Sequence, residues 1–204
     1  MRYLILFILF AFPQMTFSQY EGNTSESYWE VKATSKVLVE GKSNVNEFQC
    51  VTLNYEGEDQ LKKSYHSQSK NWNLTGSIDM KVKSFDCENR IMTRDLRETL
   101  RAEVHPTISI ELLQFLLPEH PRPSEKITGR AKITLAGNSR TFNITWTLFK
   151  EGDTMRMLGT HDFKFSDFNL DPPTKMMGMI QVRDDITVDI DLTMEMISNG
   201  SRSD

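Results

Sequence analysis

The sequence predicts an all-β fold, an eight-stranded antiparallel barrel with one short helix. Three observations lead there. Ile186 to Met196 alternates apolar and polar residues without one exception, the period of a strand with one dry and one wet face. At about 3.3 Å per residue this run is roughly 36 Å long, well beyond the usual ~17–20 Å, so its dry face must cover a deep core or a cavity. The same period returns in most other segments, while helical spacing is convincing only once. Most joins are short turns, and closure removes the exposed edges that long one-faced strands would leave. An eight-stranded barrel is just wide enough to hold one slender ligand.

In chain order, Arg2 followed by the apolar run Leu4 to Phe12 and by Thr16-Phe17-Ser18 reads as a secretory signal peptide over residues 1–18, cut near Ser18. The apolar run is too short for a span of about 20 residues. Residues 19–27 form a polar leader. The barrel domain covers 28–198, and 199–204 are a tail. Tyr28 to Gly41 reads as one or two strands, with Val37 and Val39 on one face. Glu47 to Asn54 is another. Residues 55–71 lack any period and read as a long exposed loop. Leu74 to Phe85 alternates again, with Ile78, Met80 and Val82 opposite Asp79, Lys81 and Lys83.

The helix follows, with Thr93 as its N-cap and Met92, Leu96 and Leu100 at helical spacing; Pro106 ends the segment. Thr107 to Leu117 is a strand. Ile127 to Leu135 and Phe142 to Leu148 make a hairpin turning at Gly137-Asn138. Met155 to Phe165 is in phase through Met157, Gly159, His161 and Phe163. A loop with Pro172-Pro173 precedes the last strand.

The formal charge of the 204 residues is −4, becoming about −5 once Arg2 is removed, which argues against a nucleic-acid partner. Cys50 and Cys87 are an even pair in an exported chain and are expected to form a disulfide. It would close a loop of about 37 residues, worth roughly 3–4 kcal/mol in the chain-entropy model. Neither the cysteines nor the four histidines show metal-ligand spacing. Asp184, Asp185, Asp189 and Asp191 lack the spacing of a calcium loop and read as a solvated strand face. No Gly-rich phosphate loop, nucleophile elbow or HExxH occurs, so a non-enzymatic role with no required cofactor is expected.

The residues whose phase turns them inward are Met80, Phe142, Ile144, Trp146, Met155, Met157, His161, Phe163, Ile190, Met194 and Met196. They line either a lipid tunnel or a filled core, since parity assigns a face and not a cavity. Gly129, Ala131 and Gly159 on the same faces are expected to leave room. Arg94, Arg97, Arg101, Lys62 and Lys63 are candidates for contact with a ligand head, each read first as solvated charge.

Four motifs then carry a resemblance. Ser43-Asn44-Val45-Asn46-Glu47-Phe48 looks like an early strand motif of the YceI-like proteins, bacterial polyisoprenoid-binding proteins. Met92-Thr93-Arg94-Asp95-Leu96-Arg97, followed by His105-Pro106-Thr107-Ile108, is similar to that family's helix-to-strand segment. Ile133 to Arg140 resembles its hairpin, and Ser166-Asp167-Phe168-Asn169-Leu170-Asp171-Pro172-Pro173-Thr174 resembles the loop of a secreted subgroup. Asn169 stands where the family often has glycine, as does Ala131. The resemblance implies an extended lipocalin-like barrel, a long isoprenoid chain held inside and export to the bacterial periplasm. A polyisoprenoid or isoprenoid quinone is the expected ligand, a periplasmic or secreted location is expected, and transient contact with a membrane surface is a separate expectation. The other reading is a structural or interaction protein with a filled barrel, acting through the loop at 55–71.

Overall fold

The computed structural model describes residues 26–53, 55–56, 58–66 and 70–197. The predicted signal peptide and tail lie outside the described residues, as does most of the polar leader. The elements run β1 (Glu26–Val31), β2 (Lys36–Ser43), β3 (Glu47–Thr52), β4 (Gln60–His66), β5 (Asn71–Lys81), β6 (Phe85–Asp86), α1 (Arg90–Thr99), β7 (Thr107–Leu117), β8 (Glu125–Leu135), β9 (Asn138–Glu151), β10 (Thr154–Lys164), β11 (Thr174–Lys175) and β12 (Ile180–Ile197).

Eight strands close an antiparallel barrel in the order β1-β4-β5-β7-β8-β9-β10-β12, with β12 returning to β1. β12 has 18 residues, roughly 60 Å of strand. Its length follows from serving two partners along one edge. Met194 to Ile197 pair with β1, and Val182 to Asp191 pair with β2. Its other edge pairs with β10 from Asp185 to Glu195.

The kink between β1 and β2 is held by buried Ser35. Its hydroxyl donates to the Thr193 carbonyl (3.2 Å) and accepts from the Thr193 amide (3.0 Å). A small hydroxyl there satisfies both backbone groups of the residue that passes the kink. Beyond it, β2, β3 and β6 carry the wall upward, towards the end where α1 sits.

Five expectations are corrected. The segment predicted as a long loop contains β4, which pairs with β1 and β5 and is a wall strand. Its period is hidden because Lys63 shares the face of fully buried Leu61. The Lys63 ammonium lies 4.2 Å from the centroid of the Trp72 ring and 5.4 Å from that of Trp29, so aromatic faces rather than water cover one side of it. Burial lowers its pKa below the ordinary lysine value, and Lys150 adds to the effect. Lys63 is therefore not solvated surface charge.

The helix starts at Asn89, not at Thr93. The Asn89 side chain accepts from the amides of Ile91 (2.9 Å) and Met92 (3.2 Å), the bonding of an N-cap. Thr93 is buried one turn inside, where its hydroxyl accepts from the Cys87 amide at 3.0 Å. The hairpin turns at Ala136-Gly137, one residue earlier than predicted, because Asn138 already pairs with Leu135. Both turn residues have positive φ, 49° and 79°, which suits the twist of the flanking strands. β1 begins at Glu26, two residues inside the predicted leader.

Cys50 and Cys87 are bonded as expected. The bond ties β3 to the chain just before α1. Arg97, from the helix, donates to the carbonyls of Lys83 (2.8 Å) and Phe85 (3.2 Å). These two anchors seat α1 over the barrel end.

Candidate functional site

The barrel interior divides into a packed lower half and an open upper half. In the lower half, Trp146 and Phe115 meet edge to face with centroids 5.6 Å apart, a favoured aromatic geometry. Leu61, Leu74, Leu112, Ile144, Leu148, Met157, Leu192 and Met194 are fully buried around them. Gly129 and Gly159 do not leave space there. A Cβ on Gly129 would come within 2.5 Å of the Phe115 ring, and one on Gly159 within 2.7 Å of the Trp146 ring. Each glycine is the slot into which an aromatic ring fits. The expectation that small residues open a tunnel fails because the neighbouring strand supplies a large one.

The upper half holds an apolar chamber of about 100 Å³. Val37 and Val39 of β2, Met80 of β5, Ile133 of β8, Phe163 of β10 and Val188 and Ile190 of β12 form its sides. Leu96 of α1 and Leu100, the residue that caps its C-terminus, form its roof. Among the described residues, Lys164 is the one charged residue at its edge. Outside it, between α1 and the turn joining β2 to β3, runs a second apolar groove of about 270 Å³. Phe48, Leu96 and Phe165 line both spaces. These three side chains are the partition between chamber and groove.

Of the residues predicted to face a ligand, Met80, Phe163 and Ile190 line the chamber. Ile144, Trp146, Met155, Met157 and Met194 are buried but belong to the packed half. Phe142 and His161 are half-buried in an aromatic cluster with Phe163. The Phe142 and Phe163 centroids lie 4.8 Å apart and those of His161 and Phe163 4.6 Å. Above the pair Thr145–Thr160 the register between β9 and β10 ends, so Phe142 and His161 stand where the two strands part. Met196 is 43% exposed, because β12 runs past the barrel floor.

Phe168 and Leu170 escaped the strand pattern, while Phe48, Phe85 and Phe165 stood on predicted strands but were not among the expected ligand-facing residues. Phe165, Phe168 and Leu170 belong to the single 3-10 turn after β10 and its continuation. Phe48 and Phe85 come from the short upper strands. The one sequence signal for the roof was the helical spacing of Leu96 and Leu100, which marks a buried face without saying what it covers. Asn169 closes that 3-10 turn at φ 54°, ψ 41°, a left-handed position that asparagine tolerates better than most residues. Its amide donates to Asn138 Oδ1 at 2.9 Å, while Arg140 Nε donates to the Asp167 carbonyl at 2.7 Å. Both bonds pin the turn across the parting strands.

Charge at the groove is balanced. Asp95 of α1 and Lys175 of β11 are its charged lining residues, and they pair at 2.7 Å. The Asp95 side chain is only 12% exposed, so this pair is partly removed from water and screened less than a surface pair. The acidic face of β12 is taken up by neighbouring strands. Asp191 accepts two bonds from Arg156 (2.8 and 2.7 Å), and Asp189 accepts from Thr160.

The YceI-like domain model matches residues 7–194. Among solved structures, BcnA of Burkholderia cenocepacia superposes with a TM-score of 0.59 at 18% identity, over 80% of this chain and 98% of that one. A polyisoprenoid-binding domain from Saccharophagus degradans, implicated in plant cell wall breakdown, gives 0.55 at 12% identity, over 82% and 97%. At these identities the likeness establishes the fold. No curated protein matches the sequence.

Proposed function

We propose, since this chain belongs to the YceI-like family, that it binds and carries a long apolar lipid, with one end of an isoprenoid chain in the upper chamber and the rest along the groove. The carrying observation is the partition: an apolar chamber and an apolar groove share the side chains of Phe48, Leu96 and Phe165 as a common wall. The solved relative from Saccharophagus degradans, described as a polyisoprenoid-binding domain, supports the same ligand class.

Magnitudes shape the reading. Each methylene moved out of water is worth about 0.8 kcal/mol, so a five-carbon isoprene unit offers roughly 3 kcal/mol before ordering costs. The chamber of about 100 Å³ is smaller than the roughly 150 Å³ cavity that takes one benzene. A chain of several units therefore fills the chamber with its tip and turns the partition side chains aside to lie in the groove. A polar head stays outside, because a buried unpaired charge costs more than one isoprene unit gains. The role is carriage or sequestration, without bond making. The disulfide and the leader-like N-terminus support an exported, oxidising setting, the bacterial periplasm or beyond. The competing reading, a filled barrel acting through a long loop at 55–71, loses its acting element, since β4 occupies residues 60–66.

The test is an organic extract of the protein purified from membranes of the cells that make it, analysed by mass spectrometry. About one isoprenoid lipid per chain is the expected result; repeated recovery of the barrel without any lipid overturns the reading.

A further inference from the structure

The mouth of the groove is ringed by apolar side chains that no part of the described fold covers. Val45 and Ile91 line the groove and continue outward. Met176, Met177 and Met179 stand beside them, and each of the five is at least 57% exposed. Hydrogen bonds tie the turn that carries Val45 to the segment that carries Met179. Asn44, next to Val45, donates its side-chain amide to the Met179 carbonyl at 2.8 Å and accepts from the Gln181 amide at 3.0 Å. Its own backbone amide donates to the Gln181 carbonyl at 3.1 Å.

Met176 and Met177 both have positive φ, 51° and 55°, and Met177 is fully exposed. Left-handed backbone is disfavoured for an ordinary side chain, and two such residues in a row displaying methionines outward is an outlier that calls for a function. Thioether side chains adapt to an irregular or fluid partner.

We propose that this rim docks on the surface of a lipid bilayer, so that the chain of the cargo passes between bilayer and groove without crossing water. The inference rests on the lipid-carrier reading. Two observations favour a bilayer over a second copy of this chain. The rim is continuous with the groove that leads to the chamber, and a protein seated there would stopper the path that a bilayer leaves open. The groove's two charged lining residues also pair with each other, Asp95 with Lys175 at 2.7 Å, so the attraction is apolar and needs no anionic lipid.

Vesicle flotation with pure phosphatidylcholine tests this, using purified protein whose N-terminal residue has been determined so that the leader is accounted for. Wild type floats with the vesicles, equally in low and high salt. The double variant Met176→Asp, Met177→Asp, at two exposed rim positions outside the groove lining, loses at least tenfold in partition. Both changes suit the local backbone, since aspartate tolerates the positive φ at 176 and 177. Binding of a detergent-dispersed isoprenoid quinone is measured alongside and stays unchanged in the variant. Flotation of the variant like wild type overturns the proposal, as does a wild type that ignores vesicles or instead dimerises through these residues. Failure of quinone binding in both proteins removes the carrier reading, whereas the flotation arm still decides the rim.

Discussion

The ring of Trp146 lies directly against Gly159 on the neighbouring strand, so near that a Cβ at residue 159 would come within 2.7 Å of Trp146 Cε3. This one contact shows how the lower barrel is filled: a large ring on β9 takes the volume that β10 forgoes. It also sets the first prediction. Gly159→Ala should destabilise the fold by about 1–3 kcal/mol through overpacking, read as a lower urea midpoint with unchanged slope. A loss below about 0.5 kcal/mol would mean the ring moves freely and the half is not tightly packed.

The two halves of the interior should separate by experiment. Met157→Ala, in the packed half, should lose about 2–5 kcal/mol of stability and leave lipid affinity unchanged. Val188→Phe, on the chamber wall, should keep the fold by circular dichroism and lower lipid uptake at least tenfold. Equal effects of both on uptake would show that ligand reaches the whole barrel.

The Cys50–Cys87 bond should contribute about 3–4 kcal/mol by restricting the unfolded chain. Denaturant unfolding with and without reductant measures it. Since the bond also holds the chain entering α1, mild reduction should speed lipid release before global unfolding. Identical release rates in the two states would uncouple the helix from the chamber.

Lys63 makes stability depend on alkaline pH. Its folded pKa is lowered below the unfolded value of about 10.4. Below the folded pKa both states are charged, and the folded state bears the full burial cost. As pH rises through the folded pKa the native protein sheds its proton first, the unfolded chain then holds more protons, and stability rises. Wild type should therefore gain on Lys63→Met as pH rises through the alkaline range towards about 10.4. A gap that stays flat across that range would place the ammonium in water.

Much of the wall was legible from alternation. β5, β8, β9, β10 and β12 each show period two over long runs, because one face of each is dry throughout. β4 was not legible, since a lysine replaces an apolar residue on its inward face and two tryptophans, distant in sequence, make that tolerable. The N-cap was misplaced by four residues because Thr93 and Asn89 are both good capping residues. Only the fold shows Thr93 bonding the Cys87 amide instead.

The sequence alone determined which face of each long alternating strand is dry, which cysteines pair, and which family's motifs the chain bears. Those follow from local periodicity, from an even thiol count and from short stretches of contiguous residues. Only the tertiary structure decided which inward side chains fill the barrel and which leave it open. That depends on which residue on the next strand each one meets: Trp146 meets a glycine and closes the floor, whereas Val188 faces aliphatic neighbours under α1 and leaves a chamber. Volume is a property of pairs across the sheet, and a single strand does not carry it.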